Sequence, residues 1–522
     1  MDTISGKANA LAHKHYTWLA ALLLLLTAVL ALIWSHHKLL WVDELLVLET
    51  DSVPTLLDVL RIQRLYPISL DPMAYHALSH GMIRVMGPTV LAIRLPSLLG
   101  YLLMQAMLFV FVRRIAGERA GLIALLLPAL TGTLYYAVEA RPYGMLLGIF
   151  GVTIASYQAA TRDSDRGRSL CILAISLALA PNTHYFGVLL FVPVWLAEAV
   201  RTLERKRLDW PVIAALCFGV LGIVGTLPFQ KGLNRFRLHY YNNNIVTPHA
   251  IAEAYRLLLI NYGLSPHMQR NIFVLFVLVL VLSLFVCAVL RARLAIHFPV
   301  GEFALVLLLA LYPVFGYLLA RYVTHSMEVR YVLGGVLGIS VLLSVAMGAL
   351  LKRNETFVVV LGVLTVAVLF VVQARIRAEQ QKSAAILASL LVPYEIKAKL
   401  LSGPDTHIYF QEGGYWQVAR YYEPDKTLSQ HFTLLTSFRE EMQARHRETE
   451  SLTADHLPHF TALPVVDWDA MKQMPGPHHL IQYHSQWDWS PEALSKEQVN
   501  EKVLGSVFDG EALDLEFPAQ RK

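Results

Sequence analysis

The chain has 522 residues, of which 55% are hydrophobic and 16% are charged, and its formal net charge at pH 7 is +5. The charged share is well below the roughly 25% of ordinary soluble domains, which argues against a soluble globular protein. Lys and Arg occur in short clusters between apolar blocks, so the charge pattern indicates a polytopic protein in contact with membrane lipids and not a nucleic-acid-binding protein.

The first apolar block, residues 16–34, follows Lys7 and Lys14 and therefore begins like a signal peptide. Its length is that of a hydrocarbon-crossing helix, and no small-residue cleavage site follows it. We therefore predict an uncleaved first membrane span.

Apolar runs of about 20 residues predict eleven spans in all. The fifth and sixth are separated only by Pro181, Asn182 and Thr183, so an error there would invert the orientation of everything that follows. The predicted spans are residues 16–34, 92–112, 117–137, 142–160, 169–182, 184–200, 211–228, 271–290, 300–320, 329–350 and 356–374.

Lys and Arg alternate between the two sides of these spans, as the positive-inside rule requires if the N-terminus is cytoplasmic. The exported side then receives a long first loop (residues 35–91), a second loop (229–270) and everything after about residue 373. The cytoplasmic connections carry Arg113, Arg114, Arg119, Arg162, Arg166, Arg168, Arg201, Arg205, Lys206, Arg207, Arg291, Arg293, Lys352 and Arg353.

Two short helices are predicted within the first exported loop. Ser52 and Pro54 precede an amphipathic stretch, and Asp71 and Pro72 precede another that Gly87 ends. Because both are too short or too polar to cross, they should lie in the interfacial plane.

Residues 375–522 contain no run long enough to span, so we predict a transmembrane domain of residues 1–374 and a small exported α/β domain of residues 375–522. Strands are expected at "THIYF" (406–410) and "HLIQYH" (479–484), and a helix at 384–400.

The histidines and cysteines of the chain suggest no metal site or disulfide. His478, His479 and His484 could be ligands, but alternate strand residues point to opposite faces, so ordinary surface and core roles are favoured. All three cysteines lie in apolar segments and are best explained as small buried side chains: Cys171, Cys217 and Cys287.

An acidic pair, Asp43 and Glu44, follows the first span at the predicted exported interface, between tryptophans suited to the headgroup layer. By itself such a pair is well explained as a solvated loop feature. Other exported turns carry further polar groups at the same predicted depth, and ionisable groups beside hydrocarbon mark a site more often than an accident. These are Glu139, Arg141, His184, Tyr185, Glu328, Arg330 and Tyr331.

Each of these residues also has a simpler explanation. Arg141 precedes a proline and could cap a helix, Arg330 could snorkel, and His184 could be an interfacial histidine. Taken together, the set suits one chemistry: a carboxylate accepts the proton of an acceptor hydroxyl, while arginines hold a departing phosphate. A lipid-linked phosphosugar supplies that phosphate, and the sequence has neither a GxxxxGK[ST] nor a GxGxxG nucleotide loop.

At these residues the chain resembles the GT-C superfamily of membrane glycosyltransferases, in particular the bacterial branch with the lipid A aminoarabinose transferase and the protein O-mannosyltransferases. Matching pieces occur in family order over about the first 340 residues. They are "DE" (43–44), "AIRLPSLLG" (92–100), "YYAVEARPYGMLL" (135–147), "THYFGVLL" (183–190) and "VRYVLGGVLG" (329–338).

The resemblance implies a polytopic all-α GT-C fold with interfacial helices and a polyprenyl-phosphate sugar donor. It implies Asp43 as the base or acceptor-orienting residue and Glu44 as its neighbour, and Arg141 and Arg330 at the donor phosphate. No cofactor is implied other than a divalent metal used by some relatives. The chain departs from the "HPPLYY"-like segment of relatives at "LDPMAYH" (70–76), where Asp71 is either a second acidic participant or, as we favour, a helix N-cap.

We therefore expect a glycosyltransferase in the bacterial inner membrane, with a lipid, glycan or protein acceptor on the exported face. Lipid A modification and protein glycosylation are both cell-envelope roles compatible with it. The alternative is a lipid or glycan transporter or flippase, which should show mid-membrane charges and related halves. A third hypothesis is that the chain is a catalytically inactive subunit of an assembly.

Overall fold

The structure is a computed structural model and describes residues 2–240, 245–259, 266–293, 296–351, 353–401, 403, 405–448, 450–483 and 485–518. The chain divides into two compact units. The first consists of Met1–His36, Asp71–Pro228 and Asn244–Ile376, and the second of His37–Leu70, Phe229–Asn243 and Arg377–Lys522. The second unit thus includes parts of both exported loops predicted from sequence.

The chain is mainly helical. Its first helices are α1 (Asp2–His37), α2 (Val42–Asp51), α3 (Leu56–Leu65), α4 (Met73–Met86), α5 (Val90–Leu126), α6 (Tyr143–Arg162) and α7 (Gly167–Thr183). Those that follow are α8 (Phe191–Arg205), α9 (Trp210–Val220), α10 (Gln230–His239), α11 (His249–Leu259), α12 (Pro266–Ala292), α13 (Val300–Ala310), α14 (Tyr312–Leu319), α15 (Gly335–Leu350) and α16 (Asn354–Ser389). Short 3-10 segments occupy Leu127–Leu130, Gly132–Ala137, Tyr185–Leu190, Leu221–Phe229 and Val329–Tyr331.

Within the described residues, seven helical segments are long and apolar enough to cross a membrane, or eight if the bent pair Val300–Ala310 and Tyr312–Thr324 is one span. The chain is therefore a polytopic membrane protein, as predicted, while the count of eleven spans stays a prediction. Two expected spans fall on α5, which Gly117 interrupts with φ +86°. The tenth expected span starts late, at Gly335, because Val329–Tyr331 forms a 3-10 turn.

The first unit is built around α6, which packs against α5 and α7. Small residues allow this close approach: a Cβ on Gly148 of α6 would lie 2.8 Å from the Cα of Gly100 on α5. α4 packs against both α5 and α7, and the Tyr75 hydroxyl donates to the Ile93 carbonyl at 2.7 Å. The start of α4 is thereby fixed next to the segment that enters α6.

Arginines from two predicted cytoplasmic connections converge on one carboxylate. Arg166, Arg201 and Arg205 place guanidinium nitrogens 2.7, 2.8 and 3.1 Å from Asp209. Their hydrogen bonds hold the pKa of Asp209 well below its usual range, although burial opposes this shift. The two connections therefore lie at the same end of the unit, as the predicted alternation requires.

The two interfacial helices expected in the first loop are present. Thr55 caps α3 by accepting from the Asp58 amide, and α4 ends at Gly87, whose φ of +76° suits glycine. The acidic pair, expected in a loop, instead lies in the first turn of α2, where Trp41 is the N-cap. Helix dipoles favour acidic side chains in a first turn.

The carboxyl-terminal part of the second unit is the predicted α/β domain. A six-stranded sheet has the order β3-β2-β1-β4-β6-β5, with β1 to β4 parallel and β6 antiparallel to both β4 and β5. The strands are β1 (His407–Phe410), β2 (Phe432–Thr436), β3 (Val465–Asp467), β4 (His478–Gln482), β5 (Asn500–Val507) and β6 (Gly510–Glu516). The helices are α17 (Tyr394–Leu400), α18 (Gly413–Tyr422), α19 (Lys426–Ser429), α20 (Phe438–Arg445), α21 (Ser451–His456), α22 (Trp468–Met471) and α23 (Ser490–Lys496).

Both strands expected from sequence are found, as β1 and β4. The helix expected over residues 384–400 is wrong as one element: α16 ends at Ser389 and α17 begins at Tyr394, after Pro393. A proline disfavours helix in the residue before it, which separates the two. Of the cysteines, Cys287 is buried as expected, whereas Cys171 and Cys217 are exposed on the protein surface.

Candidate active site

A buried ion pair forms the centre of the candidate site in the first unit. Asp71 Oδ2 lies 3.0 Å from Arg141 Nη2, with side chains 3% and 10% exposed. The expectation that Asp71 caps the next helix is wrong, because Pro72 is the N-cap of α4 and makes no side-chain capping bond. The carboxylate instead pairs with the buried guanidinium and fixes its orientation.

The backbone before α6 presents Arg141 to this carboxylate. After two 3-10 segments the chain turns sharply, and the Arg141 amide donates to the Glu139 carbonyl at 2.8 Å. The Ser97 hydroxyl on α5 donates to the Arg141 carbonyl. Pro142 then starts α6, so Arg141 stands just outside the helix and does not cap it. Glu139 itself is buried.

His184 joins the same centre from the end of α7. Its Nε2 lies 3.9 Å from Asp71 Oδ1, and its Nδ1 accepts from the Phe186 amide at 3.2 Å. An accepting Nδ1 means that a neutral ring carries its proton on Nε2, on the side of the carboxylate. Asp71, Arg141 and Arg330 all act electrostatically on this buried ring. Because Nδ1 accepts a hydrogen bond, it carries no proton, and the ring is held in its neutral form.

Aromatic rings surround His184. Its centroid lies 5.2 Å from that of Tyr143 and 5.4 Å from that of Tyr331, and Phe186 stacks on Tyr331 at 4.2 Å. Tyr143 and Phe186 were not singled out from sequence, although Tyr143 lies two residues after Arg141 in "RPYG" and Phe186 directly follows Tyr185 in "HYFG". Tyr185 interacts electrostatically with Asp71. The rings exclude water from the carboxylate and the imidazole and so strengthen their interactions.

Arg330 supplies a second guanidinium to this centre from the 3-10 turn after α14. Its Cζ lies 5.6 Å from the Tyr331 ring centroid, and Arg141 Cζ lies 6.0 Å from that of Tyr143. Both arginines act electrostatically on His184. Two guanidinium groups and the Asp71 carboxylate thus act on one imidazole, that of His184. Planar guanidinium groups arranged in this way suit a phosphate oxyanion.

Asp43 and Glu44 belong to the second unit. Glu44 is fully buried, and its Oε2 accepts from Lys38 Nζ at 2.8 Å and from the Trp41 amide at 3.4 Å. Lys38 was not identified from sequence as its partner. Asp43 is half-buried in the first turn of α2. The structure therefore gives the two carboxylates different surroundings: one is held in a buried ion pair, and the other keeps part of its surface accessible.

The described part of the chain contains no group of three or more His, Cys, Asp or Glu side chains arranged to hold a metal ion. Glu44, the one residue implied as a metal neighbour, is paired with a lysine, which is not the oxygen-rich surrounding that hard divalent cations require. In the second unit His478 contacts the Tyr409 hydroxyl at 3.2 Å and His479 lies 3.3 Å from Asp514. His484 lies outside the described residues.

Residues 71–229 match a family model described as dolichyl-phosphate-mannose-protein mannosyltransferase. That segment begins at Asp71 and includes Arg141 and His184, so it covers most of the ion-pair centre. No curated protein is significantly similar to the chain in sequence.

Two crystal structures of ArnT from Cupriavidus metallidurans have the fold of this chain. The form bound to undecaprenyl phosphate is 14% identical, with a TM-score of 0.61 over 96% of this chain and 98% of that one. The apo form is also 14% identical, with a TM-score of 0.59 over 97% and 98%. These matches confirm the fold expected from the resemblance: the chain has the fold of ArnT, including a small carboxyl-terminal sheet domain.

Proposed function

We propose that the chain is an integral-membrane glycosyltransferase that moves a sugar from a polyprenyl-phosphate carrier to a lipid, glycan or protein acceptor. The observation that carries the proposal is the buried Asp71–Arg141 pair beside neutral His184, with Arg330 acting on the same imidazole. It gives two cations in a water-poor setting, where a leaving phosphate is best stabilised. The fold is the one that holds undecaprenyl phosphate in ArnT.

In this proposal the acceptor oxygen attacks the anomeric carbon while the bond from that carbon to the phosphate oxygen breaks. Polyprenyl phosphate leaves with the bonding electron pair, and Arg141 and Arg330 stabilise its added negative charge. The acceptor proton passes to the Asp43 carboxylate as general base, an assignment that comes from the resemblance and from its half-buried position. Direct displacement of this kind inverts the anomeric configuration.

Asp71 acts in the proposal as a positioning residue. It lies 3.0 Å from Arg141 and so orients the planar guanidinium, whose fork geometry suits a phosphate. His184 Nε2–H is a neutral donor beside it, able to hydrogen-bond a sugar or phosphate oxygen without adding charge. No step is assigned to a metal, because the surroundings of Glu44 do not fit one.

The cellular arrangement is likewise proposed. The enzyme would lie in the bacterial inner membrane with a cytoplasmic N-terminus, and transfer would occur on the exported face, where the first loop carries Asp43. The alternation of basic residues supports this orientation, and the convergence of Arg166, Arg201 and Arg205 on Asp209 agrees with it. A transporter or flippase is not favoured, because residues 71–229 match a family model described as a mannosyltransferase.

The test uses purified full-length protein in lipid nanodiscs with a radiolabelled polyprenyl-phosphate sugar and a membrane extract as the source of acceptor. Acceptor-dependent release of free polyprenyl phosphate is expected from wild type and should be lost in Arg141→Ala. Relocation of intact labelled lipid between leaflets, without release, would instead establish a flippase. Donor panels with different sugars and extracted lipid, glycan and protein fractions then identify the substrates.

A further inference from the structure

The second unit contains a cavity of about 350 Å³ at the carboxyl ends of the central strands of its sheet. Glu412 follows β1 and Tyr483 follows β4, and both line the cavity. Its volume falls in the range of small-molecule sites.

The position of this cavity in the sheet is that of a ligand site. The chain runs from β1 outward through β2 to β3, then returns to place β4 on the opposite side of β1. The strand order therefore reverses between β1 and β4. In open parallel sheets, loops diverge at such a reversal and leave a crevice at the carboxyl ends of the two strands, where ligands bind.

The walls of the cavity are aromatic and carry unused polar atoms. Tyr415 and Tyr483 stack with centroids 4.0 Å apart, and Trp41 and Phe508 also line the cavity. Tyr483 is 4% exposed, and within the described residues its buried Oη has no hydrogen-bond partner. The buried Trp41 Nε1 likewise has no hydrogen-bond partner among the described residues. Leaving such groups unpaired costs free energy, which a ligand oxygen in the cavity would recover.

Three carboxylates line the same cavity. Glu412 and Asp509 both act electrostatically on the hydroxyls of Tyr415 and Tyr483. Asp509 is held there by a two-residue turn between β5 and β6, in which it and Phe508 have φ of +61° and +53°. The third carboxylate, Glu450, accepts a hydrogen bond from the Gly413 amide at the start of α18.

The charges around Glu450 call for a cation. It faces Glu412 after β1, Glu441 on α20 and the Gly413 amide on α18. Removal from water and the two neighbouring carboxylates raise its pKa to about 8, against the lowering effect of the amide. An anionic ligand would be repelled by these carboxylates. A cation would relieve the repulsion and could lie against the aromatic faces, which attract organic ammonium ions.

We propose that this cavity binds a small organic ammonium ion that also carries a hydroxyl group. The ammonium group would lie between Glu412, Glu450 and Asp509 against the stacked tyrosines. Its hydroxyl oxygen would accept from Trp41 Nε1 or Tyr483 Oη. The inference does not depend on the proposed transferase function, because all the lining residues belong to the second unit and none is assigned to the reaction.

The test is calorimetric titration of full-length protein in nanodiscs with choline, with ethanolamine, and with 3,3-dimethylbutan-1-ol, the uncharged isostere of choline. Choline or ethanolamine should bind at least about tenfold more tightly than the uncharged alcohol. Equal affinity for choline and its isostere, or no binding of either cation at millimolar concentration, would overturn the proposal.

Two variants locate the binding site. Glu450→Gln keeps the shape and the hydrogen bond from Gly413 but removes the charge, so affinity for the cation should fall about tenfold. If the first variant folds poorly, Glu412→Gln tests the same site independently. Glu501→Gln, at an exposed position of β5, is the matched control and should bind the cation like wild type. Unchanged affinity in both cavity variants would show that the cation binds elsewhere.

The protonation of Glu450 gives a second readout. Because a bound cation favours the carboxylate, binding at pH 7 should release protons, measured by titration in two buffers of different ionisation enthalpy. Affinity should rise as the pH increases from 6.5 to 8.5, and Glu450→Gln should abolish both effects. Affinity independent of pH in the wild type would contradict the assignment.

Discussion

The sharpest prediction concerns the role of Asp71 as the residue that positions Arg141. Replacing it by asparagine keeps its size and its ability to accept a hydrogen bond, but removes the charge that faces the guanidinium at 3.0 Å. Removing one partner of a buried ion pair costs roughly 3–5 kcal/mol, because the remaining charge stays buried without its counter-ion.

The lower end of that range applies here. Arg141 is 10% exposed, and asparagine retains one contact, so we take a cost of about 3 kcal/mol. If that interaction serves to orient the guanidinium on the leaving phosphate, Asp71→Asn should lower kcat by about 100-fold. The KM for the donor should not rise, because the site becomes more positive and attracts the phosphate at least as well.

The assay is release of polyprenyl phosphate by wild type, Asp71→Asn, Arg141→Gln and the double variant. If Asp71 acts only through Arg141, the double variant should lose no more activity than Arg141→Gln alone. Losses that multiply, or full activity of Asp71→Asn, would refute the reasoning. Asp163→Asn is the matched control, since it breaks an exposed pair with Arg114 at 3.4 Å and should cost less than about 1 kcal/mol.

Three further predictions concern other residues. Asp43→Asn should leave the melting temperature unchanged but reduce transfer by at least about 100-fold, as expected for loss of a general base. Gly148→Ala should destabilise the protein by about 1–3 kcal/mol, measured by thermal unfolding, because the methyl group would meet the backbone of Gly100 on α5. Glu501→Cys should react with a membrane-impermeant maleimide in intact cells if the sheet domain is exported.

Each of these has its own control. Gly362→Ala, in α16 with no atom near its Cβ position, should be neutral or slightly stabilising, and equal destabilisation by both glycine variants would contradict the packing argument. The labelling experiment needs a background of Cys171→Ser and Cys217→Ser, since both thiols are exposed on the protein. Labelling only after cell lysis would place the sheet domain in the cytoplasm. Asp43→Asn with normal turnover would remove that residue from the mechanism.

The sequence by itself determined the elements whose signals are local. Apolar runs of the right length predicted the long helices, Ser52, Pro54 and Gly87 marked ends of the two short helices, and short strand-like runs predicted β1 and β4. Each of these signals lies within about 20 neighbouring residues. It arises because a backbone group without a hydrogen bond, or apolar surface left in water, costs free energy locally. The resemblance to GT-C enzymes likewise came from short pieces in order.

Only the tertiary structure decided which polar residues meet. Asp71 had every local feature of a helix cap, yet it pairs with Arg141, which follows 70 positions later in the chain. The cavity beside Glu412 and Tyr483 also depends on strand order, which no run of residues encodes. A buried carboxylate needs a counter-charge within a few ångströms, and which cation supplies it is fixed by how the helices pack, because packing alone brings distant parts of the chain to that separation.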